Sequence, residues 1–192
     1  MSPRSTFQNE KIRSGSTKKI LDAAFELMAK NGYESTSISQ IAKRAGVSKG
    51  LMYNYFESKE DLLKTLIDGA FVAEEKIMAD IISQDAAETL QHLFKWFFSE
   101  LRERPEYWRL IAQLTLQIDK FEFVQEFAKN KMKDYVIFLS GLLEQIGIQD
   151  PKHEAQLIAG LFDGIAMQYL VIKKDYPLDE MELYLIEKYC SK

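Results

Sequence analysis

Ser37-Ile-Ser-Gln40-Ile-Ala-Lys-Arg-Ala-Gly46-Val-Ser48-Lys-Gly-Leu-Met-Tyr53-Asn-Tyr-Phe-Glu-Ser-Lys59 is the stretch whose reading decides the fold. Ser37 can cap a helix, and Gln40 three residues later completes a capping box. Ile38, Ile41, Ala42 and Ala45 then fall at helical spacing on one apolar face. Gly46 follows where a short helix ends on a residue tolerant of positive φ. Val47 is a residue of buried type, and Ser48 is a second N-cap, opening a helix expected to run from Lys49 to about Phe56. Two short helices joined by a three- to four-residue turn containing glycine form a helix-turn-helix, whose second helix enters the DNA major groove.

The polar residues of that second helix suit the task. Ser48, Lys49, Tyr53, Asn54 and Tyr55 offer hydroxyl, ammonium and amide groups that position on phosphates or read base edges. Gly50 allows close backbone approach, while Met52 and Phe56 are the expected anchors into the core. The plain alternative is a surface helical hairpin with a tyrosine-rich face. Cap, turn glycine and polar face agree over more than twenty residues, which favours the DNA-reading unit.

The pattern from Thr36 to Leu63, Thr-Ser-Ile-x-x-Ile-Ala-x-x-Ala-Gly-Val-Ser-Lys-Gly-x-x-Tyr-x-Tyr-Phe-x-Ser-Lys-Glu-x-Leu-Leu, resembles the DNA-binding domain of TetR (tetracycline-repressor) family transcriptional regulators. The upstream run Ile20-Leu-Asp-Ala-Ala-Phe-x-Leu-x-x-x-x-Gly32 is similar to that family's first helix. The likeness covers roughly the first third of the chain and is specific; the rest resembles the family in length and helical character. It implies that Thr36 or Ser37 meets a phosphate near the start of the second helix. The residues expected on DNA are thus Thr36, Ser37, Ser48, Lys49, Gly50, Leu51, Tyr53, Asn54, Tyr55 and Lys59. Two positions depart from the family pattern. Leu51 stands where a small hydroxyl residue is common, and Ser39 where a basic one is often found. Leu51 could touch a thymine methyl instead.

Composition sets the frame. The 192 residues are 46% hydrophobic and 28% charged, as in a soluble globular protein. No run of 18 apolar residues is present, so no membrane span is expected, and the first residues contain no apolar signal segment. The single cysteine, Cys190, excludes an internal disulfide and suits a reducing cytoplasm. Net charge is −4, but residues 1–64 hold 11 Lys and Arg against 7 Asp and Glu, leaving 14 against 22 for the remainder. A basic N-terminal part on an acidic body is the asymmetry of a DNA reader with a separate effector half.

Taken in order, residues 1–15 form an expected flexible basic arm with Arg4, Lys11 and Arg13, read either as a frayed tail or as a contact to phosphates or the minor groove. The DNA-binding domain is expected over 16–63, with its first helix capped by Ser16 or Thr17, and a helical effector and dimerisation domain over 64–192. A long fourth helix from Ser58, with Asp61 at the box position, to Ser83 is the expected link between them. Helix starts are expected at Asp85 with Glu88, at Pro105, near Glu122, at Asp150-Pro151, and at Asp179 with Glu182. No segment alternates with period two, so the chain reads as all-α with about nine helices.

The second domain concentrates aromatic residues with polar ones interleaved, the make-up of a small-molecule site. Aromatics at helical spacing are equally the make-up of a plain core. The resemblance implies a cavity enclosed by helices four to seven, and its candidate liners are Phe71, His92, Trp96, Trp108, Gln113, Gln117, Phe127 and Tyr135. The effector is expected to be small and largely apolar or aromatic. The last two helices are apolar on more than one side. The resemblance implies a four-helix bundle with a second chain, with Gly160, Gly164, Tyr169, Leu183 and Ile186 as candidate contacts, although both glycines could instead lie against the chain's own fourth helix. His92 and His153 lack neighbours at metal-ligand spacing, so neither metal nor cofactor is expected. No catalytic constellation is present. The reading is therefore a homodimeric, ligand-responsive regulator, most often a repressor in that family, acting on palindromic double-stranded operator DNA. Its rivals are a constitutive DNA binder with a filled interior and a helical protein-interaction adaptor.

Overall fold

A computed structural model describes residues 6–190, apart from the side chains of residues 6–14, 71, 73–75 and 118. The described residues form nine α-helices, two 3-10 turns and no strand. The helices are α1 (Thr6–Asn31), α2 (Ile38–Ala45), α3 (Lys49–Tyr53), α4 (Lys59–Ile81), α5 (Ala86–Glu103), α6 (Pro105–Thr115), α7 (Glu122–Gln145), α8 (Pro151–Ile172) and α9 (Leu178–Cys190). Two compact units divide at Val72–Ala73, and α4 runs through the division. Helix α1 begins at Thr6, about three turns before the expected cap at Ser16 or Thr17. Residues 1–5 of the expected arm lie outside the described residues.

In the first unit, α1 turns Ile20, Ala23, Ala24, Met28 and Ala29 inward, against Ile41 and Ala42 of α2, Met52 and Phe56 around α3, and Leu62 and Leu63 of α4. The capping box of α2 is complete: Gln40 N donates to Ser37 Oγ at 3.3 Å, and Ser37 N donates to Gln40 Oε1 at 2.7 Å. Gly46 ends α2 at φ +69°. Its N–H bonds Lys43 O at 3.3 Å, and the Val47 N–H reaches back to Ala42 O at 3.0 Å. This pair of bonds is the Schellman arrangement, and an L side chain at position 46 would strain it. Ser48 Oγ then accepts the Leu51 N–H at 3.1 Å, starting α3.

The second unit is built on α5, which buries Leu90, Leu93, Phe94, Phe97, Phe98 and Leu101. Around it pack Leu139, Leu142 and Leu143 of α7, Ala155, Ile158, Phe162, Ile165 and Ala166 of α8, and Leu185 and Tyr189 of α9. The ring of Phe97 stacks on Phe162 at 3.9 Å between centroids. Trp108 of α6 meets Phe97 edge-on at 5.4 Å, and Tyr135 of α7 lies 6.4 Å from Phe162. One aromatic cluster thus ties four helices together.

Three helix starts are built differently from the sequence expectation. Asp61 N bonds Ser58 Oγ at 2.9 Å, but the Asp61 carboxylate accepts from Glu57 N at 3.0 Å, so the box closes one residue upstream. Asp150 adopts φ 54° and makes no side-chain cap; its carboxylate pairs with His153 Nδ1 at 2.8 Å. Asp179 and Glu182 lie inside α9 rather than capping it, because Arg102 of α5 takes both carboxylates. Asp85 does cap α5, accepting the Glu88 N–H at 2.9 Å, while Glu88 itself accepts from the Ser83 hydroxyl.

Candidate functional site

The helix-turn-helix places its expected DNA residues in two groups. Ser37, Ser48, Lys49, Gly50, Tyr53 and Asn54 are exposed, while Leu51 and Tyr55 are half-buried beside them. Tyr53 is 53% exposed, an open aromatic group at the end of α3. A Cβ built on Gly50 would meet only Ser48 Oγ, at 4.0 Å. Nothing inside the chain therefore requires a glycine there.

Thr36 and Lys59 form the second group, and both side chains are engaged within the fold. Thr36 is 1% exposed, and its hydroxyl shares its hydrogen between Gly32 O at 2.8 Å and Leu27 O at 3.2 Å, tying it to the end of α1 and the residue after it. The adjacent Ser37 keeps an exposed position at the start of α2, where backbone N–H groups and the helix dipole favour an anion. Lys59 donates Nζ–H to Tyr33 O at 2.9 Å and lies 4.1 Å from the centroid of the Tyr33 ring. The ammonium locks the start of α4 onto the loop between α1 and α2. Burial, then Glu60 and Glu34, hold the Tyr33 phenol above its ordinary pKa, so it stays neutral.

Charge is unevenly spread within this unit. Residues 20–64 hold six Lys and Arg against six Asp and Glu, whereas residues 1–19 hold five against one. The net positive charge of the first unit therefore comes from the start of the chain, including Lys18 and Lys19 exposed on α1. One exposed cation of α2 is engaged in the fold, as Arg44 pairs with Glu26 of α1 at 2.6 Å.

In the second unit, buried polar atoms without a partner among the described residues are Trp96 Nε1 on α5, Trp108 Nε1 and Gln113 Oε1 on α6, Gln117 Oε1 just beyond α6, and Ser140 Oγ on α7. All five lie in the run of chain from α5 to α7. Leaving such a group unsatisfied costs ~1–3 kcal/mol, so each is a point where water or a ligand completes the bonding. Trp96, Trp108, Gln113 and Gln117 are among the candidate liners read from sequence; Ser140 is not. A lone serine on an apolar helix gives no sequence signal. The Nδ1 of His92, another of the candidate liners, engages Ile81 O at 3.1 Å at the end of α4. Phe127 and Tyr135 are half-buried on α7, and the Phe71 side chain lies outside the described residues.

The model for bacterial regulatory proteins of the tetR family matches residues 20–66, within the first unit. Over 181 residues the chain is 32% identical to the fatty acid metabolism regulator protein of Bacillus subtilis (strain 168), covering 88% of this chain and 91% of that one. The chain belongs to the TetR family.

A solved structure of the B. subtilis transcriptional regulator FadR, in complex with stearoyl-CoA, superimposes with a TM-score of 0.75 at 30% identity, over 91% of this chain and 97% of that one. The fatty acid degradation regulator FadR of Bacillus halodurans gives 0.70 at 25% identity, over the same shares. This TetR-family chain is thus a DNA-binding transcriptional regulator and not an enzyme.

The outer faces of the last two helices complete the inventory. On α8, Leu157, Leu161, Met167, Val171 and Ile172 are exposed, and on α9 Leu183 and Tyr184. Gly160 and Gly164 have open space where a side chain would stand, so the alternative in which they pack on a helix of their own chain is set aside. Tyr169 and Ile186 are half-buried against the chain's own core. With the turn after it, α8 is long and apolar enough to cross a membrane by length and composition, a feature that a search for unbroken apolar runs misses. Its apolar residues split between an inner core face and this outer stripe.

Proposed function

We propose that this chain acts in the cytoplasm as a homodimeric repressor that binds a near-palindromic operator and is released by a long-chain acyl thioester. The carrying observation is the set of five buried polar atoms without a partner among the described residues, one of them, Trp108 Nε1, on a ring of the aromatic cluster. A fatty acid regulator at 32% identity and a relative solved with stearoyl-CoA supply the ligand class. The effector expectation is thereby refined, from a small apolar or aromatic molecule to a long amphipathic one.

The exposed residues Ser37, Ser48, Lys49, Tyr53 and Asn54 serve as the DNA-facing set, with Leu51 and Tyr55 beside them and Gly50 admitting the sugar-phosphate backbone closely. The basic start of the chain adds sequence-independent attraction to phosphates. Dimerisation uses the outer stripe of α8 and α9, through Gly160, Gly164 and Leu183 together with Leu157, Leu161 and Val171. A ligand shifts the population between DNA-competent and released states only by its differential affinity for the two. The test is anisotropy of labelled operator DNA bound to the full chain, titrated with hexadecanoyl-CoA. Release at saturating ligand is the expected result; DNA binding that is indifferent to it would favour the constitutive reading.

A further inference from the structure

Between Glu154 and Lys173 the chain runs eighteen residues with a single charge, Asp163, near their midpoint. That residue is exposed on α8, beside the outer apolar stripe. Gly160 stands three residues before it and Gly164 directly after it, both with open space where a side chain would be. Residues three and four apart share a helix face, so the two glycines form a waist between Leu157 on one side and Met167 and Val171 on the other. A facing helix comes closest where side chains are smallest, and Asp163 borders that waist.

A two-fold pairing presents the same surface from both chains. From this placement we infer that Asp163 tunes the pairing, losing its water as the α8 faces close and taking up a proton as the dimer forms. The inference rests on the dimer reading above and adds its regulation. An ionised carboxylate stripped of water without a partner is costly enough that the group neutralises instead. A nearby cation would remove that need, and none is placed for it among the described residues. Lys152 and Lys173 are eleven and ten residues away, about 15 Å along a helix. At the start of α8, His153 pairs with Asp150, and Glu154 accepts from the Tyr189 hydroxyl. The one cation of α9, Lys188, lies over the Tyr189 ring at 5.1 Å; its other charges, Asp179, Glu180, Glu182 and Glu187, are acidic. On the packed side Tyr135 of α7 lies against Phe162. Partial burial alone holds the Asp163 carboxyl above its ordinary range, with no charge of α5, α6, α7 or α9 contributing.

Sedimentation velocity on dilution series of the full-length protein would give the dimer dissociation constant at about pH 8 and about pH 6. Both lie above the isoelectric point of about 5.4, and salt at about 0.3 M screens exposed charges. The dimer should hold more protons than two free chains, so the gain is present at the lower pH and lost as pH rises. The dissociation constant should therefore fall about fivefold or more on acidification. Asp163→Asn, which keeps the shape and removes the charge, should pair more tightly than the unaltered chain at the higher pH and change little between the two. An equal fall in both proteins would overturn the inference and leave the dimer reading standing. So would a dimer weakened by Asp163→Asn, the result expected if a cation of the second chain held the carboxylate. Monomers at both pH values and every concentration, in both proteins, would sink the dimer reading itself.

Discussion

At the scale of single residues, Thr36 and Gly50 show how structural and DNA-facing roles separate. The buried hydroxyl of Thr36 joins two carbonyls at the end of α1. Thr36→Val, which keeps the shape and removes the hydroxyl, should destabilise the protein by ~1–3 kcal/mol. It should leave the salt dependence of DNA binding unchanged, as thermal melts beside binding curves at several salt concentrations would show. Gly50 gives the reverse outcome. An alanine there meets only open space and Ser48 Oγ, so Gly50→Ala should hold or raise the melting temperature, helix propensity favouring alanine by about 0.5–1 kcal/mol. Operator affinity should nonetheless fall about tenfold if DNA backbone comes as close as proposed. The hydroxyl pattern around the second helix was legible in the sequence. Which of Thr36 and Ser37 faces solvent was not, because the inward turn of Thr36 depends on the carbonyls of Leu27 and Gly32, nine and four residues upstream. The bond from Lys59 to Tyr33 was not legible either, because the two are 26 residues apart.

Among the elements, α5 decides the stability of the second unit, and magnitudes separate its two kinds of contact. Arg102 reaches Asp179 at 2.6 Å, but the aspartate side chain is 84% exposed, so the pair adds at most ~1 kcal/mol. Phe97, 1% exposed and stacked on Phe162, should cost ~3–5 kcal/mol as alanine. Denaturant unfolding of Arg102→Ala and Phe97→Ala should preserve that order. Helix α9 adds a dependence on alkaline pH. Burial pushes the Cys190 thiol from 9.0 up to about 11, against a smaller opposing pull from Lys95. The folded chain thus holds this proton to higher pH than the unfolded one, so its contribution is full below 9.0 and drains as pH rises through about 11. Tyr33, Tyr176 and Tyr189, also held above 10.0 chiefly by burial, extend the loss. The melting temperature should fall steadily from about pH 9 upward, with a shallower onset in Cys190→Ala. Helix starts were legible where a cap is local, as at Ser37, Ser48 and Asp85. The start at Asp150-Pro151 was legible too, though the Asp150 carboxylate pairs with His153 rather than capping, and Asp179 lies inside α9 with its carboxylate on Arg102.

For the whole molecule, two expectations follow from charge and apolar surface. The first 19 residues carry the excess positive charge of the first unit, so a chain starting at residue 16 should bind DNA with a visibly flatter slope of log affinity against log salt. Its preferred operator sequence should not change. The exposed stripe of α8 and α9 should hold two chains together, and Leu161→Lys with Leu183→Glu should shift sedimentation from dimer to monomer and remove operator binding. The all-α architecture and the helix-turn-helix could be read from periodicity and caps alone. The unpaired buried atoms could be named as residue types, but their orphaned state depends on how α5, α6 and α7 pack, which a one-dimensional pattern does not carry. The most direct measurement is selection of binding sites from random duplex DNA by the full-length protein, repeated with Lys49→Ala and Tyr53→Ala. The expected outcome is an inverted repeat with half-site centres about 10–10.5 base pairs, or a multiple, apart, lost in both variants. Absence of any enriched site at low salt, or one lacking two-fold symmetry, would contradict a dimer that reads DNA through α3.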